Sequence, residues 1–474
     1  MSVAESETPL PPLYWDWRFL CIAVLLFASA FLVPPLFRGA VIALSIAAVV
    51  LAPLPLGTRG LVFSVMIGLA TGIASVNLFA IGIFQGPITA EFGWSQTEYA
   101  VVILVATIVT VVSSLYIGKL FDRDGTRPWA LACIVLFALV LISLYWLTPS
   151  LLHFYGVFAL MPLIGAGTSS VAYSRVIARW FDRRRGQAFG AALAGIGIGG
   201  AVLSSLSQYL ISSVGWRGAY VGLGVLSLVV TLPLIFWKLR DSPADRGLGL
   251  DGVPLEAVTE TSRPVVAEAV LGYTAVETRR LPRFWHMLLA FLLLAFAIGG
   301  VMIPLVPILK THGVTAEQAA VVQSALGIAL IMGRAFAGFL MDRVFAPYVA
   351  AGIIIFPIIG VVLLASGAVG PAAVIAAVCI GVAAGAELDV IAVLITRYFG
   401  AGAYAENYGW QYAAWTLGAG TAPILTNYVY DRTGSYDPVL WVYVFVFALS
   451  AVLVLRLGSY PVLPRMAPAA VSSP

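Results

Sequence analysis

Apolar stretches of about 20 residues, long enough to cross a bilayer as a helix, recur along this chain. Their approximate spans are 17–36, 39–55, 60–84, 97–118, 128–147, 151–177, 186–211, 218–238, 284–309, 317–340, 348–368, 371–396, 404–428 and 438–457. Fourteen such runs leave little polar surface. Of 474 residues, 61% are hydrophobic and 10% are charged, against about 25% charged in an ordinary soluble domain. A water-soluble enzyme is excluded, and so is disorder, which needs few apolar residues and much charge. The expected fold class is an all-α membrane protein with the lipid bilayer as its solvent. The net charge of +4 is too small to suggest nucleic acid as a partner. Cys21, Cys133 and Cys379 sit in separate apolar runs, and the three histidines are equally scattered. Neither pattern offers a metal or cofactor site.

Orientation follows from the basic residues. With the N-terminus inside, 21 of the 26 Lys and Arg fall on the cytoplasmic side and Arg38, Arg217, Lys310 and Arg432 fall outside. That bias places both termini in the cytoplasm. The first sixteen residues carry Glu5, Glu7 and Asp16 and no basic residue, unlike a cleaved signal.

An internal repeat organises the rest. Gly118-Lys-Leu-Phe-Asp122-Arg123 returns as Gly338-Phe-Leu-Met-Asp342-Arg343, 220 residues later. Arg179-Trp180-Phe181 returns as Arg397-Tyr398-Phe399 after 218 residues. The expected plan is a tail and extra hairpin (1–58), a six-helix bundle (59–238), a proline-broken cytoplasmic linker (239–283), a second bundle (284–457) and a cytoplasmic tail (458–474). Within the linker, 265–280 is expected to form a short surface helix. Duplicated six-helix halves are a transporter architecture.

The motif Gly118-Lys-Leu-Phe-Asp122-Arg123-Asp-Gly125-Thr-Arg127-Pro resembles the loop between helices 2 and 3 of the major facilitator superfamily. Gly118 permits close helix approach, and Asp122 is placed to meet a neighbouring helix N-terminus, which favours a carboxylate. Arg123 and Arg127 are expected to close a charge cluster. The resemblance implies a major facilitator fold with a cytoplasmic gate that latches the halves in the outward-facing state. The second copy keeps Gly338, Asp342 and Arg343 but carries Phe345 and Pro347 in place of Gly125 and Arg127.

A second motif narrows the resemblance. Trp180-Phe181-Asp-Arg183-Arg184-Arg185-Gly-Gln187-Ala188-Phe-Gly190, continuing to Gly195 and Gly199, is similar to the helix 5 signature of monocarboxylate transporters. Its small residues cover more than one helix face and permit tight helix contacts. That family's helix 1 signature is absent, since Thr71-Gly72-Ile73-Ala74-Ser75 lacks its acidic and aromatic residues. The chain is closer to the bacterial branch that includes oxalate/formate antiporters, through Glu91-Phe92-Gly93-Trp94-Ser95 and Tyr430-Asp431-Arg-Thr-Gly434-Ser435-Tyr436. The resemblance covers roughly 60–457 and implies a bacterial inner membrane.

Charges inside the apolar spans point to a site, because each costs about 2.5–3.5 kcal/mol to insert. Arg334 lies nine residues before Arg343, roughly 13 Å above the end of its helix. Glu387 and Asp389 precede Arg397 by ten and eight residues, which places them at similar depth. Lying two apart on a helix, they point in different directions, so at most one should face a cavity. The resemblance gives Arg334 the role of the helix 8 arginine that binds a substrate carboxylate, a task suited to a permanently charged fork. Leu330 stands where relatives carry an acid one turn before that arginine, and no lysine occurs in 60–84 or 404–428. A single cation favours a singly charged anion over oxalate. The competing reading makes Arg334 a structural partner of Glu387 or Asp389. Asn77, Tyr173, Tyr412 and Trp415 are further candidates for substrate contact, with Gln208 and Gln323 weaker.

The expected function is secondary active transport of a small organic anion, a monocarboxylate, by proton symport or anion exchange. Its partners would be the anion, protons and lipid. Another substrate class on the same fold, or a transporter-shaped sensor, is the alternative. A membrane-embedded enzyme is disfavoured, since no His-x-x-x-His or Gly-x-Ser-x-Gly pattern occurs.

Overall fold

The computed structural model describes residues 45, 47–77, 81–94, 96–253 and 272–464. Most of the expected hairpin 17–55, residues 265–271 of the expected surface helix, and the tail from 465 lie outside the described residues. Among the described residues there is no strand. One isolated antiparallel bridge joins Gly272 to Gly400. The chain folds as helices α1 (Leu56–Ala70), α2 (Gln96–Asp124), α3 (Thr126–Ser143), α4 (Leu151–Ile164), α5 (Ser170–Trp180) and α6 (Arg185–Leu226). There follow α7 (Pro282–Met302), α8 (Ala316–Met341), α9 (Ala346–Ala365), α10 (Pro371–Phe399), α11 (Tyr404–Thr433) and α12 (Asp437–Leu455). Short helices at Leu232–Lys238 and Ala275–Arg280 flank the linker. The second is shorter than the expected 265–280 helix: Thr274 caps its start, and residues 272–274 are not helical.

Ten helical spans among the described residues are long and apolar enough to cross a membrane. The expected spans 186–211 and 404–428 are helical but are not among the ten. The first half of α6 is rich in glycine and α11 in tyrosine and other polar residues, and the first halves of both are packed against protein. Spans 186–211 and 218–238 run almost continuously. They are parted at Gly215, whose φ of +74° makes a bend that L side chains adopt only with strain.

Local chemistry sets the ends. A capping box starts α8, with Thr315 Oγ1 accepting from Gln318 N and Gln318 Oε1 accepting from Thr315 N, both at 3.3 Å. Asp251 of the linker accepts from the backbone N–H groups of Asp182, Arg183 and Arg184. Arg184 donates to Pro53 O and Arg185 to Phe181 O, each at 2.7 Å. The arginine triplet is thus held by backbone carbonyls and one linker carboxylate.

Glycine places the helices. Gly195 and Gly199 bring α6 against the carbonyls of Met66 and Ala70 in α1, while Gly186 and Gly190 bring it against Gly338 and Arg334 in α8. The glycine signature therefore serves two faces, one within the N-terminal set of helices and one across to the C-terminal set. Of the ten membrane-length spans among the described residues, that of α10 is the most enclosed. It meets α8 through Gly333 against Val382 and Gly385 against Leu330. The N- and C-terminal sets meet along α2 with α11, α6 with α8, and α5 with α10 and α11.

Gly195→Ala drives a methyl into the Met66 backbone and should cost about 1–3 kcal/mol by overpacking, read as a lower melting temperature. Gly352→Ala, where nothing lies within 4 Å, should hold or slightly raise it. Equal melting of both variants would contradict the packing.

Candidate functional site

Two reciprocal latches close one end of the interface. Asp122 of α2 accepts from Ala405 N at 3.2 Å and Glu406 N at 2.9 Å, the first turn of α11. Asp342, at the end of α8, accepts from Gly186 N at 2.6 Å and Gln187 N at 3.0 Å, the first turn of α6. Each carboxylate satisfies helix donors that have no partner in their own helix and meets the positive end of the dipole. Gly118 lies on Ala405, and Gly338 on Gly186, without room for a side chain.

The charge cluster at the first latch differs from the expected one. Arg175 of α5, fully buried, donates to Asp122 at 2.9 Å and to Asp241 at 3.3 Å. Asp241 also accepts from Thr126 N at 2.6 Å and Arg127 N at 3.1 Å. Arg123 instead pairs with its neighbour Asp124 at 2.7 Å, and the Arg127 side chain reaches Phe236 O at 3.0 Å. Gly125, with φ +88°, leaves space for Asp241. Glu406 adds ion pairs to Arg279 at 2.6 Å and Lys119 at 3.7 Å. Arg343 lies over the Phe339 ring at 3.7 Å. At the opposite end, Glu91 accepts from Trp216 Nε1 at 2.6 Å and pairs with Arg217. The Arg217 hydrogen bond holds the Glu91 carboxyl below its usual range.

Among the described residues, the second latch has no arginine at hydrogen-bond distance. Burial pushes the Asp342 carboxyl up to about 6, against the pull of the Gln187 and Gly186 backbone N–H groups and of Arg397 and Arg343.

Between the latches and the far end lie the three intramembrane charges. The Gly385–Leu330 contact sets the register of α10 on α8. Both helices run toward the latch end, so Asp389 and Arg334, each one turn further on, meet. Asp389 Oδ1 lies 3.6 Å from Arg334 Nη1, an ion pair too long to be a hydrogen bond. The same Nη1 donates to Leu193 O of α6 at 3.1 Å, across the interface. Arg334 and Glu387 are 5% exposed and Asp389 is 0% exposed. Among the described residues, Arg334 Nε, Glu387 Oε2 and both Asp389 oxygens find no hydrogen-bond partner. Buried polar atoms are rarely left so, which makes this cluster the candidate site for a polar guest.

Aromatic rings lead from the latch to this centre. Tyr404, Tyr408, Tyr412 and Trp415 of α11 stack in series, with centroids 5.7, 6.3 and 5.5 Å apart. The hydroxyls of Tyr404 and Tyr408 and the Trp415 indole N–H are unpartnered. Tyr173 lies against Gly68 of α1, and its hydroxyl and Asn77 Oδ1 lack partners too. The residues missed by sequence are Arg175, Asp241, Leu193 and the lower half of the ladder, Tyr404 and Tyr408. The four-residue spacing from Tyr404 to Tyr412 was the available signal for the ladder.

Two sets of helices latched reciprocally at one end over buried charges make a multi-pass membrane transporter, not an enzyme. The chain belongs to the Major Facilitator Superfamily, whose pattern matches residues 67–410. The mouse protein named Monocarboxylate transporter 11 is 27% identical over 397 residues, covering 81% of this chain and 84% of the mouse protein. The Escherichia coli protein named Uncharacterized MFS-type transporter YhjX is 22% identical, covering 74% of this chain and 83% of its own. In fold, the chain is similar to the proton:xylose symporter XylE (TM-score 0.65, 17% identity, 84% of this chain and 95% of that one). It is also similar to the human organic anion transporter MFSD10 (TM-score 0.62, 15% identity, 84% and 100%).

The Asp342 environment sets a pH dependence. Its carboxyl sits near 6 when latched and returns toward 3.8 once exposed, so the latched state binds the proton more tightly. The cost of the buried charge is present above pH 6 and relieved as pH falls toward 3.8. Spin-label distances across the latch end should therefore show more of the closed form at pH 5 than at pH 7.5. Asp342→Asn should respond less over that range, and an equal response in the variant would remove Asp342 as the cause.

Proposed function

We propose that this chain moves a small monocarboxylate with a proton across a bacterial inner membrane by alternating access, latches and both termini facing the cytoplasm. The fourteen-helix topology, the extra hairpin 17–55 and the domain boundaries above belong to this proposal. The observation that carries it is Arg334, a buried cation with an unpartnered Nε edge, at a helix interface between the two sets. The names of the curated relatives point the same way, and the basic residues support the orientation.

The guanidinium takes the carboxylate through its Nε edge, making two parallel charge-assisted bonds. Asp389 supplies, from α10, the acid that relatives carry on helix 8 and that Leu330 replaces here. Charge balance then calls for a proton. One arginine and two ionised acids already leave an excess negative charge, and an unaccompanied carboxylate would add another where desolvation is costly. Asp389 is the carrier, because it alone of the two acids pairs with Arg334. Glu387, with the Trp415 indole beside it, lines the other side of the site. Trp415 and Tyr412 offer the apolar body of the substrate a stacked wall, and Asn77 and Tyr173 complete the polar lining.

Small carboxylates screened for thermal stabilisation of the purified protein, then for flux in proteoliposomes, identify the substrate. Arg334→Lys should insert normally yet lose uptake by roughly a hundredfold, the equivalent of about 3 kcal/mol for a bidentate charged contact. Near-normal uptake would sink the assignment, and persistent absence of flux in the parent protein would favour a sensor.

Asp389→Asn separates binding from coupling. The variant should still exchange labelled substrate across the membrane but should no longer accumulate it against a gradient when a pH difference is imposed. Retained pH-driven accumulation, or its loss in Glu387→Gln instead, would move the proton site.

A further inference from the structure

A cavity of about 500 Å³ opens at the latch end between the start of α3 and the short helix Leu232–Lys238, well away from the central charges. Its floor is apolar, made by Pro128, Leu131 and Phe236, and its rim holds Arg127 and Arg240 with two acids, Asp241 and Asp245. The acids are already engaged. Asp241 takes two backbone N–H groups and Arg175, while Asp245 closes the Ser242 cap at 3.2 Å.

The arginines are not so matched. Arg127 stacks over Phe236 with its guanidinium carbon 5.4 Å from the ring centroid, gives one nitrogen to Phe236 O, and keeps a buried Nε with no partner. Arg240 donates from one nitrogen to Leu239 O at 2.8 Å and Phe236 O at 3.2 Å. Neither has a carboxylate within ion-pair distance among the described residues. Arg246 adds positive charge beside Arg240 and is held on Lys238 O at 2.6 Å.

The surroundings specify the kind of anion. Phe236 and Trp237 are 52% and 67% exposed, as aromatic residues are at the level of lipid headgroups. The apolar floor continues along α3 to the exposed Leu136 and Leu139, a surface for hydrocarbon. A free phosphate would use the rim and waste the floor.

We propose that this cavity binds an anionic phospholipid, its phosphate on Arg127 and Arg240 and its first acyl carbons over Leu131 and Phe236. On the orientation proposed above the site faces the cytoplasmic leaflet, where anionic lipids concentrate. The bound lipid reaches the latch through two steps. The Arg127 backbone N–H holds Asp241, and Asp241 shares Arg175 with Asp122. Occupancy therefore steadies the first latch without touching the central site.

The test is thermal unfolding of the full-length protein in a neutral detergent, titrated with phosphatidylglycerol, phosphatidylcholine or inorganic phosphate. Phosphatidylglycerol should raise the melting temperature, and its apparent affinity should fall about tenfold or more in the Arg127→Gln/Arg240→Gln variant, which lacks both charged donors. Leu131→Trp, which keeps both arginines but fills the floor, should weaken it as well. Phosphatidylcholine and inorganic phosphate should have little effect. An unchanged phosphatidylglycerol response in either variant overturns the proposal. Inorganic phosphate reproducing the shift overturns it too, in favour of a site for a free anion. If the double variant does not fold, Leu131→Trp alone decides between these outcomes. Loss of transport in Arg334→Lys leaves all of them unaffected.

Discussion

The structure turns on helix N-termini that are buried against a different part of the chain. α6 and α11 begin not in water but against the other set of helices, where their first N–H groups would be stranded. A carboxylate from across the interface satisfies them: Asp342 for α6 and Asp122 for α11. Breaking the contact leaves donors that water must reach, so closure is held by groups that are satisfied either in protein or in solvent. Such an interface can be firm and still open. A purely apolar seam of the same area would lack that property, since nothing in it is rehydrated favourably on separation.

Glycine does the corresponding work deeper in the bundle. The backbone contact of Gly385 with Leu330 fixes how α10 lies on α8, and that register delivers Asp389 to Arg334. The acid and its arginine need not share a helix when two helices approach this closely. This is the physical reason an apolar residue can occupy position 330 without leaving the buried cation alone. The pair remains loose at 3.6 Å, and Arg334 donates a hydrogen bond to a carbonyl of the opposite set.

Much of this was legible in the sequence, because duplication printed it twice. The spacing of Gly118 and Asp122, repeated at Gly338 and Asp342, gave the latches and even the prediction that Asp122 meets a helix end. The two-faced glycine pattern of α6 was equally plain. Arg175 was not, because it has no echo in the second copy and only the folded arrangement of α5 beside α2 brings it to Asp122. The linker residue Asp241 belongs to the same latch for a reason no local pattern carries. Arg123 and Arg127, next to Asp122 in sequence, point elsewhere in space. Tyr412 and Trp415 stand out as mid-helix aromatics, whereas Tyr404 and Tyr408 lie at the start of the span 404–428, away from its middle. The continuous stack exists only once α11 has turned that face inward.

The duplicated latches are alike in geometry but not in charge. Asp122 is braced by a buried arginine that is itself shared with Asp241, whereas position 393, where the repeat would place a second such arginine, is Val393. On the alternating-access reading proposed above, the α6–α8 fastening, which lacks that brace, is the weaker edge of the door, and a gap there opens beside Gly190 and Arg334, which pack on one another, rather than beside the tyrosines.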